Sequence, residues 1–176
     1  SKGNVVDPLD IVEEYGADAL RTYVLFMGDY GAAAPWNDSS VRGCKRFLER
    51  VAGLNDIMTD APASKDMEVK IHKAIKKVSS DIEAMKFNTA IACLMTLIND
   101  IYTVGKISKD DLIIFIKLLC PFAPHLCEEI WETLGGEGLL SLSQWPEYEE
   151  SKTVEASVEI GVQVNGKVRG TIVIPN

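Results

Sequence analysis

Two rows of basic side chains are the feature of this sequence best suited to chemistry, and that chemistry is the binding of phosphate groups. Arg42, Arg46 and Arg50 recur every fourth residue, which places them on one face of an α-helix. A second row consists of four lysines: Lys70, Lys73, Lys76 and Lys77. Cations on exposed helix faces bind the backbone of nucleic acids without reading the bases. A solvated helix face produces the same pattern, so the sequence alone leaves both interpretations open.

Three more side chains are candidates for contact with a nucleic acid. Trp36 follows Pro35 in a predicted loop, where an indole ring either stacks on a base or fills a gap between a helix and a loop. Lys167 and Arg169 flank a predicted turn near the C-terminus. Charges on an edge strand also prevent aggregation, which explains these two residues equally well.

The cysteines and histidines do not indicate a metal site or a catalytic nucleophile. The chain has four cysteines, none in a C-x-x-C pair: Cys44, Cys93, Cys120 and Cys127. Each lies in or beside an apolar helical pattern, where a free thiol behaves as a small hydrophobic group. His125 and Cys127 are two residues apart on a predicted helix and therefore point in different directions. We predict no metal ligand and no catalytic residue in this chain.

The composition is that of a globular protein with an uneven distribution of charge. Over 176 residues the net charge is −8, with 47% hydrophobic and 25% charged residues. Residues 119–156 carry a net charge of −7, whereas residues 61–118 carry +2. Binding of a polyanion must therefore use local rows of cations. No apolar run approaches the roughly 20 residues of a membrane span, and no charged-then-apolar leader opens the chain, which predicts a soluble, cytoplasmic protein without membrane contact.

Apolar residues at spacings of three and four predict a mainly α fold, an antiparallel helix bundle. The predicted helices begin near Pro8, Ala17, Asp38, Met67, Ala90, Ser108 and His125. The third predicted helix is expected to be capped by side chains of residues 38–40 and to end at about Met58, the last residue of its apolar row. The apolar row of the fourth predicted helix is expected to extend as far as Met85. Asn88 or Thr89 is expected to cap the fifth predicted helix. Ser108 and Asp111 resemble a variant capping box.

Beyond residue 157 the apolar residues alternate with polar ones, which is the pattern of a β-strand. Asn165-Gly166 lies between two such stretches and predicts a β-hairpin with a tight turn. A single hairpin is marginally stable in water, so we expect it to belong to a larger sheet. An edge without its sheet is expected to pair with a second copy of the chain.

Four stretches, taken together, resemble the C-terminal part of the bacterial-type leucyl-tRNA synthetases, a family of class I aminoacyl-tRNA synthetases. They comprise residues 1–8 with 15–21, residues 36–38 with 46–51, residues 121–126 with 128–131, and residues 162–170. The first three stretches are also similar to stretches of isoleucyl-, valyl- and methionyl-tRNA synthetases. The fourth stretch is the one that indicates a leucyl-tRNA synthetase. Lys45 and Glu49 depart from the family pattern, which affects only the details of tRNA contact.

The resemblance implies three parts of a longer enzyme. Residues 1–35 would follow the K-M-S-K-S loop, with Ser1 as the last residue of that signature. Residues 36–150 would form the anticodon-binding helical bundle, and residues 151–176 a linker and the first hairpin of a further domain. The implied tRNA-binding residues are Arg42, Arg46, Arg50, Lys73, Lys77, Trp36, Lys167 and Arg169.

The same resemblance implies that the parent enzyme attaches leucine to its tRNA. It would use ATP with magnesium and act as a cytoplasmic monomer. The lysine that stabilises charge during this reaction would lie before Ser1, as would the catalytic and editing domains, so these 176 residues are expected to be inactive by themselves and to hold no cofactor. Two alternatives stay open: the equivalent domain of an isoleucyl- or valyl-tRNA synthetase, and a helical protein-interaction module without a role in RNA binding.

Overall fold

A computed structural model of the chain describes residues 5–28, 35–154, 157–164 and 167–175. Ser1 and the predicted Asn165-Gly166 turn lie outside these residues. The described part contains seven α-helices: α1 (Pro8–Tyr15), α2 (Ala17–Phe26), α3 (Asp38–Ala52), α4 (Lys65–Glu83), α5 (Phe87–Val104), α6 (Lys109–Leu119) and α7 (Pro124–Thr133). It also contains four strands: β1 (Met58–Thr59), β2 (Ile107–Ser108), β3 (Ser157–Val164) and β4 (Lys167–Pro175). The mainly α fold is confirmed, and the antiparallel order of the helices stays a prediction.

The core lies between α4, α5 and α6, with α2, α3 and α7 packed around them. The buried face of α5 repeats at spacings of three and four: Ala90, Ile91, Leu94, Leu97, Ile98 and Ile101. Among the described helices, only α5 is long and apolar enough to cross a membrane by length and composition alone. Its burial against α4 accounts for that apolar character, because the central helix of a folded bundle passes the same test.

A smaller apolar cluster joins α1 and α2 to the first half of α3. Its buried members are Ile11, Tyr23, Val41 and Cys44. The predicted start of α1 is confirmed, because the Asp7 carboxylate accepts a hydrogen bond from the backbone N–H of Leu9 and Pro8 occupies the first turn. Gly16 has a φ angle of 91°, which separates α1 from α2 by a sharp change of direction. This cluster fixes α1 and α2 beside the arginine-bearing helix.

The prediction for α3 is wrong at its cap and at its end. Asn37, outside residues 38–40, is the N-cap, and its side-chain oxygen accepts a hydrogen bond from the backbone N–H of Ser40 at 3.2 Å. The α-helix stops at Ala52 and continues as a 3₁₀-helix over Gly53–Ile57. Gly53 lies so close to another helix that a methyl group there would meet the Tyr102 hydroxyl at 2.9 Å. Met58 is 38% exposed and pairs in parallel with Ile107, so it lies in β1 and not in the core.

The connection between α4 and α5 also differs from the prediction. Met85 has a φ angle of 58° and is 64% exposed, because α4 already ends at Glu83. The N–H of Lys86 donates to the Asp81 carbonyl at 2.7 Å and that of Met85 to the Ile82 carbonyl, which is a Schellman ending with methionine in the place usual for glycine. The N-cap of α5 is therefore Lys86, and neither Asn88 nor Thr89 caps it.

Two other predicted features are confirmed. The Ser108 hydroxyl accepts a hydrogen bond from the Asp111 N–H at 3.1 Å and donates one to the Asp111 carboxylate at 2.7 Å. Strands β3 and β4 pair in antiparallel register, with Ile160 opposite Ile172. The register shifts between Val162 and Gln163, which leaves Arg169 as an extra residue on β4.

Candidate nucleic-acid interface

The arginine row lies on the solvent face of α3, opposite the residues that α3 buries. Arg42 and Arg46 are both exposed, whereas Val41, Cys44 and Phe47 on the other side are buried. Neither arginine forms a hydrogen bond or an ion pair with any residue that the structure describes. Since a helix rises 1.5 Å per residue, their Cα atoms lie about 6 Å apart along the axis, so both guanidinium groups reach the same stretch of a bound strand. Unpaired guanidinium groups are well suited to phosphate.

Arg50 differs from the other two members of this row because it is held by α5. One of its Nη atoms donates to the Asn99 amide oxygen at 2.7 Å, and its guanidinium carbon lies 4.8 Å from the centre of the Tyr102 ring. The Tyr102 hydroxyl in turn donates to the Arg50 carbonyl at 2.8 Å. Arg50 therefore joins α3 to α5. Its predicted contact with RNA stays a prediction.

Three of the four lysines in the α4 row pair with carboxylates. Lys70 pairs with Asp100 at 2.6 Å, Lys77 pairs with the buried carboxylate of Asp81, and Lys76 pairs with Glu150 at 2.6 Å. Lys73 also interacts with the rest of the chain. The hydrogen bond with Glu150 raises the pKa of Lys76 above its ordinary value. These neighbours lower the positive charge that the α4 row offers to a phosphate, so the two rows predicted from the sequence are not equivalent.

The α4 row lines a groove of about 870 Å³ between α4 and α5. Its other wall is formed by residues of α5, among them Thr89, Cys93 and Thr96, and the floor includes Ala74 and Leu97. Thr96 donates its hydroxyl hydrogen to the Ala92 carbonyl, so this wall offers only weak polar contacts. The groove is open to solvent along the lysine side chains, which are all exposed.

Trp36 has a clear packing role. Its ring is edge-on to that of Tyr23, with the ring centres 5.0 Å apart, and its N–H donates to the Asp38 carboxylate at 2.7 Å. The indole thus fills the gap between α2 and the start of α3. This supports the interpretation of Trp36 as a packing residue over its interpretation as a ring that stacks on a base. Arg169 is exposed on β4, and the side chain of Lys167 lies outside the part that the structure describes.

The structure reveals a polar joint that sequence reasoning missed. Three side chains of α2, from Asp18, Arg21 and Thr22, bind the backbone of residues 121–126, which form the connection after α6 and the first turn of α7. The Arg21 guanidinium donates twice to the Pro121 carbonyl, at 2.9 and 3.0 Å. The hydroxyl of Thr22, which is fully buried, donates to the Phe122 carbonyl at 3.4 Å. Two stretches that the sequence presents as separate motifs therefore form one contact.

Asp18 supplies the cap that α7 lacks. Pro124 opens this helix and Ala123 precedes it, so no side chain of its own caps the first turn. The Asp18 carboxylate accepts hydrogen bonds from the Leu126 N–H at 2.8 Å and from the His125 N–H at 3.4 Å, and it contacts the His125 Nδ1 atom at 2.8 Å. A proline start with an alanine cap is the signal from which such an external partner could have been predicted.

Glu128 binds the backbone of the chain that follows α7. Its carboxylate accepts hydrogen bonds from the backbone N–H groups of Leu140 at 2.7 Å and Ser141 at 2.9 Å. Desolvation raises the pKa of Glu128, but the hydrogen bonds from Ser141 and Leu140 together outweigh it, so the pKa lies below its ordinary value. Glu128 thus fastens the chain that follows α7 to that helix.

Replacing Glu128 with glutamine should lower the free energy of unfolding by about 1 kcal/mol at pH 7, since the amide accepts these hydrogen bonds less strongly than a carboxylate. A lowered carboxyl pKa stabilises the folded state above the unfolded pKa, and that stability is lost as the pH falls through the folded pKa. The difference from the original chain should therefore shrink between pH 5 and pH 3, as measured by urea unfolding. Glu129→Gln, on the exposed side of α7, is the matched control. An equal effect of both substitutions would contradict the role of Glu128.

The cysteines have the character of core residues, as the sequence indicated. All four are free, and three of them are buried. Burial raises the pKa of Cys44 and that of Cys120 to about 11 each, and it raises the pKa of Cys127 well above its ordinary value. These thiols are therefore protonated and unreactive at neutral pH. Within the described ranges, no group of three or more His, Cys, Asp or Glu side chains is arranged to hold a metal ion.

Comparison with known proteins adds to this geometry. Residues 64–176 match a family model described as the anticodon-binding domain of tRNA ligase. The chain is 49% identical over 175 residues to the leucine–tRNA ligase of Alkaliphilus oremlandii (strain OhILAs), covering 99% of this chain and 22% of that protein. It is 46% identical over 180 residues to the leucine–tRNA ligase of Bdellovibrio bacteriovorus, covering 99% and 23%. The chain thus spans less than a quarter of the length of these curated relatives.

A solved structure is similar to this fold. The crystal structure of the ternary LeuRS–tRNA–LeuAMS complex of Agrobacterium radiobacter K84 matches with a TM-score of 0.81 and 34% identity. The match covers 99% of this chain and 26% of the chain in that complex.

Proposed function

Because the chain belongs to the family of anticodon-binding domains of tRNA ligases, we propose that it binds leucine-specific tRNA through the backbone of the RNA. The observation that carries this proposal is the pair of exposed arginines on α3, Arg42 and Arg46, which form no hydrogen bond or ion pair in the described part of the chain. Phosphate contacts position an RNA without reading its sequence, and two unpaired guanidinium groups one turn apart suit that task. The leucine–tRNA ligases among the relatives support leucine over isoleucine and valine.

We propose further that the chain acts within a longer leucine–tRNA ligase. Residues 1–35 lead from the catalytic part into the bundle, residues 36–150 grip the RNA, and residues 151–176 begin a further domain. ATP and magnesium act in the remainder of the enzyme, and the 176 residues alone do not activate leucine. The parent enzyme is a cytoplasmic monomer, and the hairpin edge pairs with a second copy when its sheet is missing. The relatives, more than four times as long, support this assignment.

Equilibrium binding of the chain to a leucine tRNA transcript tests the proposal. If four to six phosphates are contacted, the affinity should fall about 10²- to 10³-fold between 50 and 200 mM salt, because each contact releases condensed counterions. Filter binding or fluorescence anisotropy measures both affinities. A transcript of an isoleucine tRNA serves as the comparison. Absence of binding even at low salt would contradict a role in RNA binding for this chain.

A further inference from the structure

The segment after α7 crosses the surface of α4 and ends in the 3₁₀-helix Glu150–Thr153. We name residues 145–153 the acidic strap. At its start the Trp145 N–H donates to the Ser79 hydroxyl at 2.8 Å, and further along the Glu149 N–H donates to the His72 Nδ1 atom at 3.0 Å. Beside them, the Tyr148 ring centre lies 5.5 Å from the Lys76 ammonium. The strap therefore follows α4 over about two turns.

Ion pairs add to these contacts. The Lys76 ammonium contacts both carboxylate oxygens of Glu150, at 2.6 and 2.8 Å, although the Glu150 side chain is 67% exposed. The Lys152 ammonium contacts Glu68 of α4 at 3.1 Å. Exposed ion pairs stabilise a fold only slightly and are screened by salt. The carboxylate of Glu150 is thus weakly held, and a competing anion can take its place at Lys76.

We propose that the acidic strap is an internal competitor for the phosphate groups of bound RNA, with the Glu150 carboxylate occupying Lys76 until an RNA phosphate displaces it. This inference rests on the proposed function. Lys76 lines the same groove as Lys70, Lys73 and Lys77, and Thr153 of the strap lies at its edge. A phosphate that takes the place of Glu150 therefore enters a row of cations. A backbone phosphate shares one negative charge between two oxygens, as a carboxylate does, so its advantage over Glu150 is that neighbouring phosphates of the same strand meet the other lysines of the row.

The competition concerns Lys76, which pairs with Glu150 of the strap, whereas Lys70 and Lys77 pair with Asp100 of α5 and Asp81 of α4. The lysine groove faces its own acidic strap, whereas Arg42 and Arg46 have no such cover among the described residues. RNA would first contact the arginines of α3, and the α4 row would contribute once the strap is displaced. Displacement would also loosen the strap's hold on α4 just before the chain enters β3, so the hairpin would gain freedom when RNA is bound.

A comparison of two neighbouring substitutions tests the inference. Glu150→Gln and Glu147→Gln remove the same charge from the same strap, but the Glu147 carboxylate contacts only the Gln144 side chain, at 3.5 Å, within the described residues. Glu150→Gln should tighten the binding of leucine tRNA about two- to five-fold at low salt, in keeping with the strength of an exposed ion pair. Glu147→Gln should change it less than two-fold. Equal effects of the two substitutions would show a general charge effect and overturn the inference.

The Lys76→Gln variant provides a second test of the inference. In that background the gain from Glu150→Gln should disappear, because the competition needs the Lys76 ammonium. Hydrogen exchange of the strap, including the Glu149 amide, should become faster when tRNA binds. Slower or unchanged exchange would overturn the inference. Binding by the original chain without a gain in Glu150→Gln overturns the strap alone, whereas absence of binding by every variant overturns the proposed function as well.

Discussion

Replacing Asp18 with alanine should lower the free energy of unfolding by about 3 kcal/mol, the largest effect that we expect from any single polar residue of this chain. The carboxylate is 12% exposed and accepts two backbone hydrogen bonds at the first turn of α7 besides its contact with His125. Loss of a helix cap costs about 1 kcal/mol, and hydrogen bonds to a charged group contribute about 1.5–3 kcal/mol. In a chain of this length, the midpoint of thermal unfolding should fall by roughly 6–12 °C.

The substitution should act on α7 in particular. Without Asp18 the backbone N–H groups of His125 and Leu126 have no acceptor, and no side chain of α7 can replace it. Hydrogen exchange at the start of α7 should therefore accelerate more than exchange in α5, which lies in the core and opens with the whole fold. Circular dichroism and urea unfolding measure the global effect.

Asp10→Ala is the matched control for this prediction. Asp10 occupies the first turn of α1 as Asp18 occupies that of α2, but α1 already has the Asp7 cap and Asp10 is exposed. Its loss should change the free energy of unfolding by no more than about 0.5 kcal/mol. Asp18→Asn should lie between the two, since an amide keeps one acceptor oxygen. If Asp10→Ala and Asp18→Ala destabilised the protein equally, the joint between α2 and α7 would have no special weight.

The double substitution of Arg42 and Arg46 with alanine should weaken tRNA binding about 10- to 100-fold at 0.1 M salt without lowering stability. Two phosphate contacts are lost, so the slope of log affinity against log salt should fall by about 1.4–1.8. Neither side chain forms a hydrogen bond or an ion pair with the described residues, and alanine is the best helix former, so the bundle should unfold at the same or a slightly higher temperature. Fluorescence anisotropy at several salt concentrations measures the slope.

Two control variants distinguish the loss of direct arginine–phosphate contacts from the loss of net positive charge. Lys65→Ala with Lys106→Ala makes the same change in net charge at exposed positions distant in sequence from α3, and it should weaken binding less than three-fold. Arg42→Lys with Arg46→Lys keeps the charge and should retain most of the affinity, losing only the geometry of the guanidinium group. An equal loss in the two alanine pairs would mean that RNA responds to the overall field and not to the α3 arginines.

Arg50 should be left out of such a variant, although the sequence places it in the same row. Its contacts with Asn99 and Tyr102 join α3 to α5, so its removal would mix a loss of packing with a loss of charge. The i+4 spacing correctly put three arginines on one helix face. It could not show that Tyr102, about fifty residues further on, lies beneath one of them.

Some helix boundaries follow from neighbouring residues, whereas others depend on residues that are distant in sequence. The start of α1 and the Ser108 cap follow from local chemistry, because the capping side chain and the groups it binds are within three residues of each other. The ends of α3 and α4 could not be predicted in this way. Tyr102, a residue of α5, lies close to Gly53 just after α3 ends. The end of α4 uses Met85 at a φ angle that sequence patterns assign to glycine.

The sequence by itself determined the mainly α class, the β-hairpin, the positions of the cations and the resemblance to a tRNA-binding family, because each of these depends on residue types and on spacings of a few residues. Only the tertiary structure decided which cations are available. Lys70 meets Asp100, Lys76 meets Glu150, and Asp18 of α2 reaches the start of α7. Such partners are distant in sequence and meet only when the apolar faces pack, and packing therefore sets which charges remain for RNA.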